Sequence, residues 1–162
     1  MNGETRKTGA PGAFRRTVID LVAGTQTTKR HATLPWQEFP MIAPSRVGRS
    51  YRHAYHLFTP ESSILWRAVA KLDVETDRTD VFDFGPWALG SRVDVRASSQ
   101  WNRRNDGWLL VETVNNRGPA ALEIFDARRV ADGPVATATT RTHIPCTFTA
   151  IGRRASPKCR LK

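Results

Sequence analysis

The sequence of 162 residues predicts an all-β protein assembled from a recurring sheet unit. Three phrases of one kind carry this expectation: Val18-Ile19-Asp20-Leu21, Lys71-Leu72-Asp73-Val74 and Ile124-Phe125-Asp126-Ala127, with aspartates 53 and again 53 residues apart. Each is an apolar strand end running into a polar turn and then a second apolar or β-branched run. A unit repeating at about 40–50 residues marks stacked or radially arranged sheets such as propeller blades, and three units are few for a closed ring. The second observation is negative: nowhere do apolar residues keep helical spacing over three turns, so little helix is expected.

The elements follow in order. Residues 1–13 read as a flexible lead-in. Residues 14–21 and 25–31 form a hairpin around Ala23-Gly24, where a glycine supplies positive φ. Residues 34–44 hold Pro35, Pro40 and Pro44 and make an irregular connector or an edge. Residues 51–58 and 64–74 are rich in aromatic and β-branched residues and read as strands. Residues 79–84 alternate and complete a second hairpin, which Gly85, Pro86, Trp87 and Gly90 end. Residues 91–95 make a short strand, 98–106 a polar loop, and Asp106-Gly107 a turn. Residues 108–114 pair with 120–125, and 135–142 make the last strand. Residues 14–150 thus form the folded body and 151–162 a basic tail.

The net charge of +10 sits mainly in two tails: residues 152–162 carry +5 and residues 1–16 carry +3, leaving +2 for the 135 between. A basic face on the folded body is therefore not expected, and neither is a nucleic-acid partner. Two cysteines, Cys146 and Cys159, are too few for a disulfide scaffold and fit a reducing, cytoplasmic compartment. No apolar run is long enough to span a membrane. Arg15-Arg16 resembles a twin-arginine start, but the apolar stretch after it is short and contains Asp20, so no export signal is read.

Several strings, in this order and spacing, resemble the C-terminal part of the carotenoid cleavage oxygenases. They are Glu38-Phe39-Pro40 with Ile42 and Pro44, Val47-Gly48-Arg49, Tyr51-Arg52, Leu72-Asp73 with Glu75-Thr76, and Phe84-Gly85-Pro86. The series continues through Asp106-Gly107-Trp108-Leu109-Leu110, Ile124-Phe125-Asp126-Ala127, Pro134-Val135-Ala136-Thr137 and Ile144-Pro145. The resemblance covers residues 14–150. It implies about three blades of a seven-bladed β-propeller, and a family reaction in which non-haem Fe(II) and O₂ cleave conjugated double bonds of carotenoids, apocarotenoids or stilbenoids.

In that family four histidines hold the iron as neutral imidazoles and leave sites open for O₂. Glutamates accept the outer N–H of three of them and fix the rings. Carried over residue by residue, Glu38 matches one such glutamate. Ser91 stands where another should be, 53 residues on, and Thr149 occupies the position of the last iron histidine. Phe148 matches the aromatic lining of the substrate tunnel. The resemblance therefore implies no metal ligand and no catalytic residue in this chain, and no iron bound by it.

The remaining candidates read blandly. His53 and His56 are three apart in a strand and face opposite sides of the sheet, so they do not chelate together. His143 lies six residues before Thr149 and reads as a strand-end histidine, Cys146 as a small buried thiol. Apart from the resemblance, Glu38 reads as a turn residue. The three aspartates are expected to bond the N–H groups of their own turns. Trp36, Trp66, Trp87 and Trp108 read as core between sheets. Two function classes stand: a carotenoid-oxygenase-like piece inactive alone, or a non-catalytic β-sheet interaction module or degenerate gene remnant. Either would leave open sheet edges for self-association.

Overall fold

The structure, a computed structural model, describes residues 14–31, 34, 36–59, 66–86, 88–97, 107–115 and 119–140. The lead-in, the loop around residue 101, and residues 141–162 lie outside them, and with these His143, Cys146, Phe148, Thr149, Cys159 and the basic tail. The described residues are all-β. Strands β1 (Phe14–Asp20) and β2 (Thr25–His31) form the expected hairpin, in register from Phe14 opposite His31 to Asp20 opposite Thr25. Gly24 turns it at φ +62°.

Two four-stranded antiparallel sheets follow, each a simple meander. The first runs in order β3 (Gln37–Met41), β4 (His53–Phe58), β5 (Ala68–Asp73) and β6 (Thr79–Asp83). The second runs β7 (Ala88–Ala97), β8 (Gly107–Asn115), β9 (Ala121–Asp126) and β10 (Pro134–Thr139). Among the described residues the helical turns are two short 3-10 segments, Pro44–Arg46 and Val130–Asp132. The expected "about three" units are thus two complete sheets and one hairpin.

The period of 53 has a plain structural meaning. Asp73 ends β5 and Asp126 ends β9, each the third strand of its sheet, and Asp20 ends β1. All three do what a strand-end aspartate is expected to do. Asp20 Oδ1 accepts the N–H groups of Val22 and Ala23, both at 2.9 Å. Asp73 Oδ1 accepts those of Glu75 (3.0 Å) and Thr76 (3.2 Å), and Asp126 Oδ1 accepts that of Arg128 (2.9 Å). The repeat is a device for closing hairpins.

Strand alternation then sorts the side chains. One face of β4 and β5 carries Tyr55, Leu57 and Val69, which pack on Val93, Val95, Leu109, Val111 and Phe125 of the second sheet. The other face carries Ala54 and Leu72, packed with Phe14, Ile42 and Tyr51. Tyr55 crosses between the sheets to donate its hydroxyl to the Ala127 carbonyl at 3.0 Å. Asp80 of β6 accepts the N–H groups of Val130 (2.8 Å) and Ala131 (3.0 Å), pinning the second sheet's turn. Full burial of each large apolar side chain here is worth about 1.5–3 kcal/mol.

Three expectations change. Gly90 does not end a hairpin but lies within β7, the longest strand described, which begins at Ala88 and not at Ser91. The reason is a close approach: a Cβ on Gly90 would stand 2.8 Å from Leu57 Cδ2. Of the run 64–74 the described part begins at Trp66, which makes an isolated bridge to Gly90, and its strand is Ala68–Asp73. Among the described residues Trp108 belongs to no buried core cluster; it sits half-buried on the face of β8 turned away from Leu109. Trp66, by contrast, packs edge-on against Phe39 at 5.0 Å beside the core.

Candidate functional site

Glu38 and Ser91 each lie on the first strand of a four-stranded sheet, Glu38 opposite Leu57 and Ser91 within the register shift between Gly90 and Arg92. Both strands are irregular there. The register of β3 shifts between Glu38 and Met41, with Phe39 at φ +53°, and that of β7 shifts between Gly90 and Arg92. Such bulges re-aim side chains at the rim of a sheet. Glu38 points to solvent at a pocket mouth, whereas Ser91 is buried, its hydroxyl 3.4 Å from the Glu112 carbonyl. A serine turned onto its own sheet backbone does not offer the carboxylate that an outer imidazole N–H needs.

The pocket beside Glu38 has a volume of about 400 Å³. Phe14 of the hairpin forms one wall; Gln37, Pro40 and Ile42 form the rim, and Tyr51, Ala54 and His56 the floor. Phe14 reaches it because β1 lays its even-numbered residues on the first sheet. Its ring stands 5.7 Å from that of His31 and 6.0 Å from that of His56. Arg16 lies over Tyr51 at 5.0 Å.

His56 is the unusual group of this site. It is 1% exposed, and neither ring nitrogen has a hydrogen-bond partner among the described residues. Burial pushes its pKa down to about 4, so the ring is neutral at ordinary pH. His31 is equally buried, but its Nδ1 pairs with the Asp77 carboxylate, which Lys29 also contacts at 2.9 Å. Those two contacts, Lys29 first, hold the Asp77 carboxyl below its usual range. Spacing set His56 beside His53 without marking it as a buried group, and nothing in the sequence marked His31, whose partner Asp77 lies beyond its own hairpin. His53 stands on the opposite face of β4 from His56, its Nε2 3.9 Å from Asp73.

Asp73 itself is held in a tight set. Burial raises its carboxyl, but the Arg52 guanidinium, at 2.9 Å and 2.7 Å, and the Glu75 and Thr76 N–H groups outweigh that and hold it below the carboxylate range. Asp126 is lowered chiefly by Arg128, which contacts it at 2.7 Å. These carboxylates are satisfied structural groups, not poised acids or bases.

The described residues do not fit an iron centre by themselves. Among them no group of three or more His, Cys, Asp or Glu converges to hold a metal ion. His56 supplies neutral nitrogens and Glu38 a nearby carboxylate, which is two groups where the resemblance requires four histidines. Also among the described residues, no helix is long and apolar enough to cross a membrane.

Comparison with known proteins gives the same direction from sequence and from shape. The family model described as RPE65, retinal pigment epithelial membrane protein, matches residues 1–150. Apocarotenoid-15,15'-oxygenase of a Synechocystis species is 29% identical over 140 residues, covering 83% of this chain and 28% of that protein. The cobalt-substituted Synechocystis enzyme superposes with a TM-score of 0.74 at 28% identity, over 83% of this chain and 29% of that one. A chimera of that enzyme with RPE65 superposes with the same TM-score at 26% identity and the same coverage. The chain therefore spans less than a third of the length of the relatives it matches.

Proposed function

The chain belongs to the RPE65 and carotenoid oxygenase family, and on that premise we propose that it is a sheet module of that fold that does not catalyse alone. The family reaction is O₂-dependent oxidative cleavage of conjugated double bonds at a non-haem Fe(II), on carotenoid, apocarotenoid or stilbenoid substrates. Within that scheme the two sheets are propeller blades, the hairpin is the outer half of a third, and Glu38 is the retained histidine-orienting carboxylate. Ser91 and Thr149 replace a glutamate and a ligand, Phe148 lines the substrate path, and this chain binds no iron. The observation that carries the reading is Ser91. At the place where the 53-residue step repeats Glu38, the structure has a buried hydroxyl committed to backbone.

The test is loss of a carotenoid chromophore. Full-length chain, supplied with Fe(II), O₂ and an apocarotenoid in detergent, should leave the visible spectrum unchanged over a time in which a complete family enzyme bleaches it. Chain-dependent, O₂-dependent bleaching would overturn the reading.

The second reading, a non-catalytic interaction module or a degenerate remnant, is favoured by one observation. Among the described residues β1 pairs only with β2, which leaves its other edge without a strand. We propose a cytoplasmic protein that associates with itself through such open sheet surfaces.

A further inference from the structure

We infer that copies of this chain associate head to tail: the outward face of the β1–β2 hairpin of one copy packs on the outward face of the β7–β10 sheet of the next. This rests on the self-association proposed above and moves it from strand edges to sheet faces.

The internal repeat supplies the argument. Within one chain the first sheet turns Tyr55, Leu57 and Val69 toward the second sheet, which receives them with Leu109, Val111 and Phe125. One step of 53 carries Tyr55, Leu57 and Val69 to Trp108, Leu110 and Leu122. The pairing is displaced by two residues, Leu57 standing opposite Val69 but Leu110 opposite Ile124 and Leu122 opposite Glu112, which keeps all of them on the face away from Leu109 and Phe125. This tail face is apolar in the same pattern as its buried counterpart, yet Leu122 is 38% exposed and Trp108, Leu110 and Ile124 are only half-buried.

The receiving face repeats as well. Phe125 and Ala127, and one step earlier Leu72 and Val74, are all 2% exposed or less. A further step back gives Ile19 and Leu21, which are 63% and 90% exposed. Ile19 lies on the odd-numbered face of β1, away from Phe14 and Arg16, which engage the first sheet, and Leu21 follows it in the turn directly after the strand. So one end presents the face that is covered within the chain, and the other end presents the face that covers it. Arg15 and Arg30 stand opposite each other on the head face, while the tail face carries Glu112, Asp94 and Arg96, the last two paired at 2.6 Å. An interface between two different faces is heterologous and extends by addition, as stacked repeat units do through neighbour contacts.

The experiment is sedimentation velocity on the full chain across the micromolar range, with Leu21→Glu and Leu122→Glu as exposed head and tail variants whose folding is checked by circular dichroism. Wild-type chain should form species larger than a monomer as concentration rises. Each variant alone should stay monomeric, and an equimolar mixture should recover a dimer and nothing larger, because one intact head then meets one intact tail. If each variant alone still associates as wild type does, pairing runs through edges and the face inference falls while self-association stands. If wild-type chain is monomeric throughout, both fall.

Discussion

His56 is the side chain whose replacement reads the packing between hairpin and sheet most directly. Its two ring nitrogens are buried without partners, and burial alone lowers its pKa from 6.5 to about 4. The folded value lies below the unfolded one, so the unfolded chain takes up the proton first. The stability that this group contributes is full above the unfolded pKa of 6.5, is lost as pH falls toward about 4, and changes no further below that. A shift of this size corresponds to about 3 kcal/mol, most of it lost by about pH 4.5. His56→Leu removes that linkage and also removes two polar atoms whose unpaired burial costs about 1–3 kcal/mol each. Urea unfolding followed by tryptophan fluorescence at about pH 7 and about pH 4.5 compares the two proteins, and wild type should lose about 2–3 kcal/mol more than the variant between them. The other histidines and the aspartates are common to both chains and cancel. Equal losses would refute the reasoning, and would mean that His56 has access to solvent or to a proton-accepting partner.

Other perturbations test other links. Asp73→Ala strips the acceptor from Glu75, Thr76 and Arg52 and should cost about 2–4 kcal/mol by denaturant melts, with Asp73→Asn recovering part through its remaining oxygen. The same change at solvent-exposed Asp20 should cost measurably less, and equal losses would contradict the assignment of Asp73 to a buried charge set. Gly90→Ala drives a methyl to 2.8 Å from Leu57 Cδ2 and should destabilise by about 1–3 kcal/mol through forced repacking; an unchanged melting curve would show that the sheets are not in contact there. Asp80→Ala leaves the Val130 and Ala131 N–H groups without their acceptor and should raise hydrogen exchange at those two amides while β4 and β5 stay protected.

Much of this fold was legible in the chain because its punctuation is local. Asp20, Asp73 and Asp126 close their own turns over two or three residues, so spacing alone revealed three hairpins and their period. What spacing could not reveal was which strands sit side by side beyond each hairpin. That depends on Tyr55 reaching Ala127 and Asp80 reaching Val130, contacts across some fifty or more residues. Gly90 misled for a related reason: a glycine in a strand reads as a break unless one knows that Leu57 fills the space of its side chain. Pro40 was read more safely, because an edge strand is the place where a sheet tolerates the missing N–H, and β3 is that edge. At the candidate site the resemblance picked out Glu38 and Ser91, which both lie on the first strand of a sheet but at different register. His56 was read only as facing away from His53, and the burial of His31 and His56 was not legible, since a buried histidine carries no local signature and gains meaning only from Phe14 and Asp77 beside it.

The proposal that this family member does not hold the metal by itself is tested most directly by iron stoichiometry. Full-length chain is stripped with chelator, reloaded with Fe(II) without oxygen, desalted, and assayed for iron per chain. The expected result is a ratio far below one that does not respond to His56→Leu. A ratio near one that survives desalting would contradict it, and its loss in the His56→Leu variant would identify the ligand.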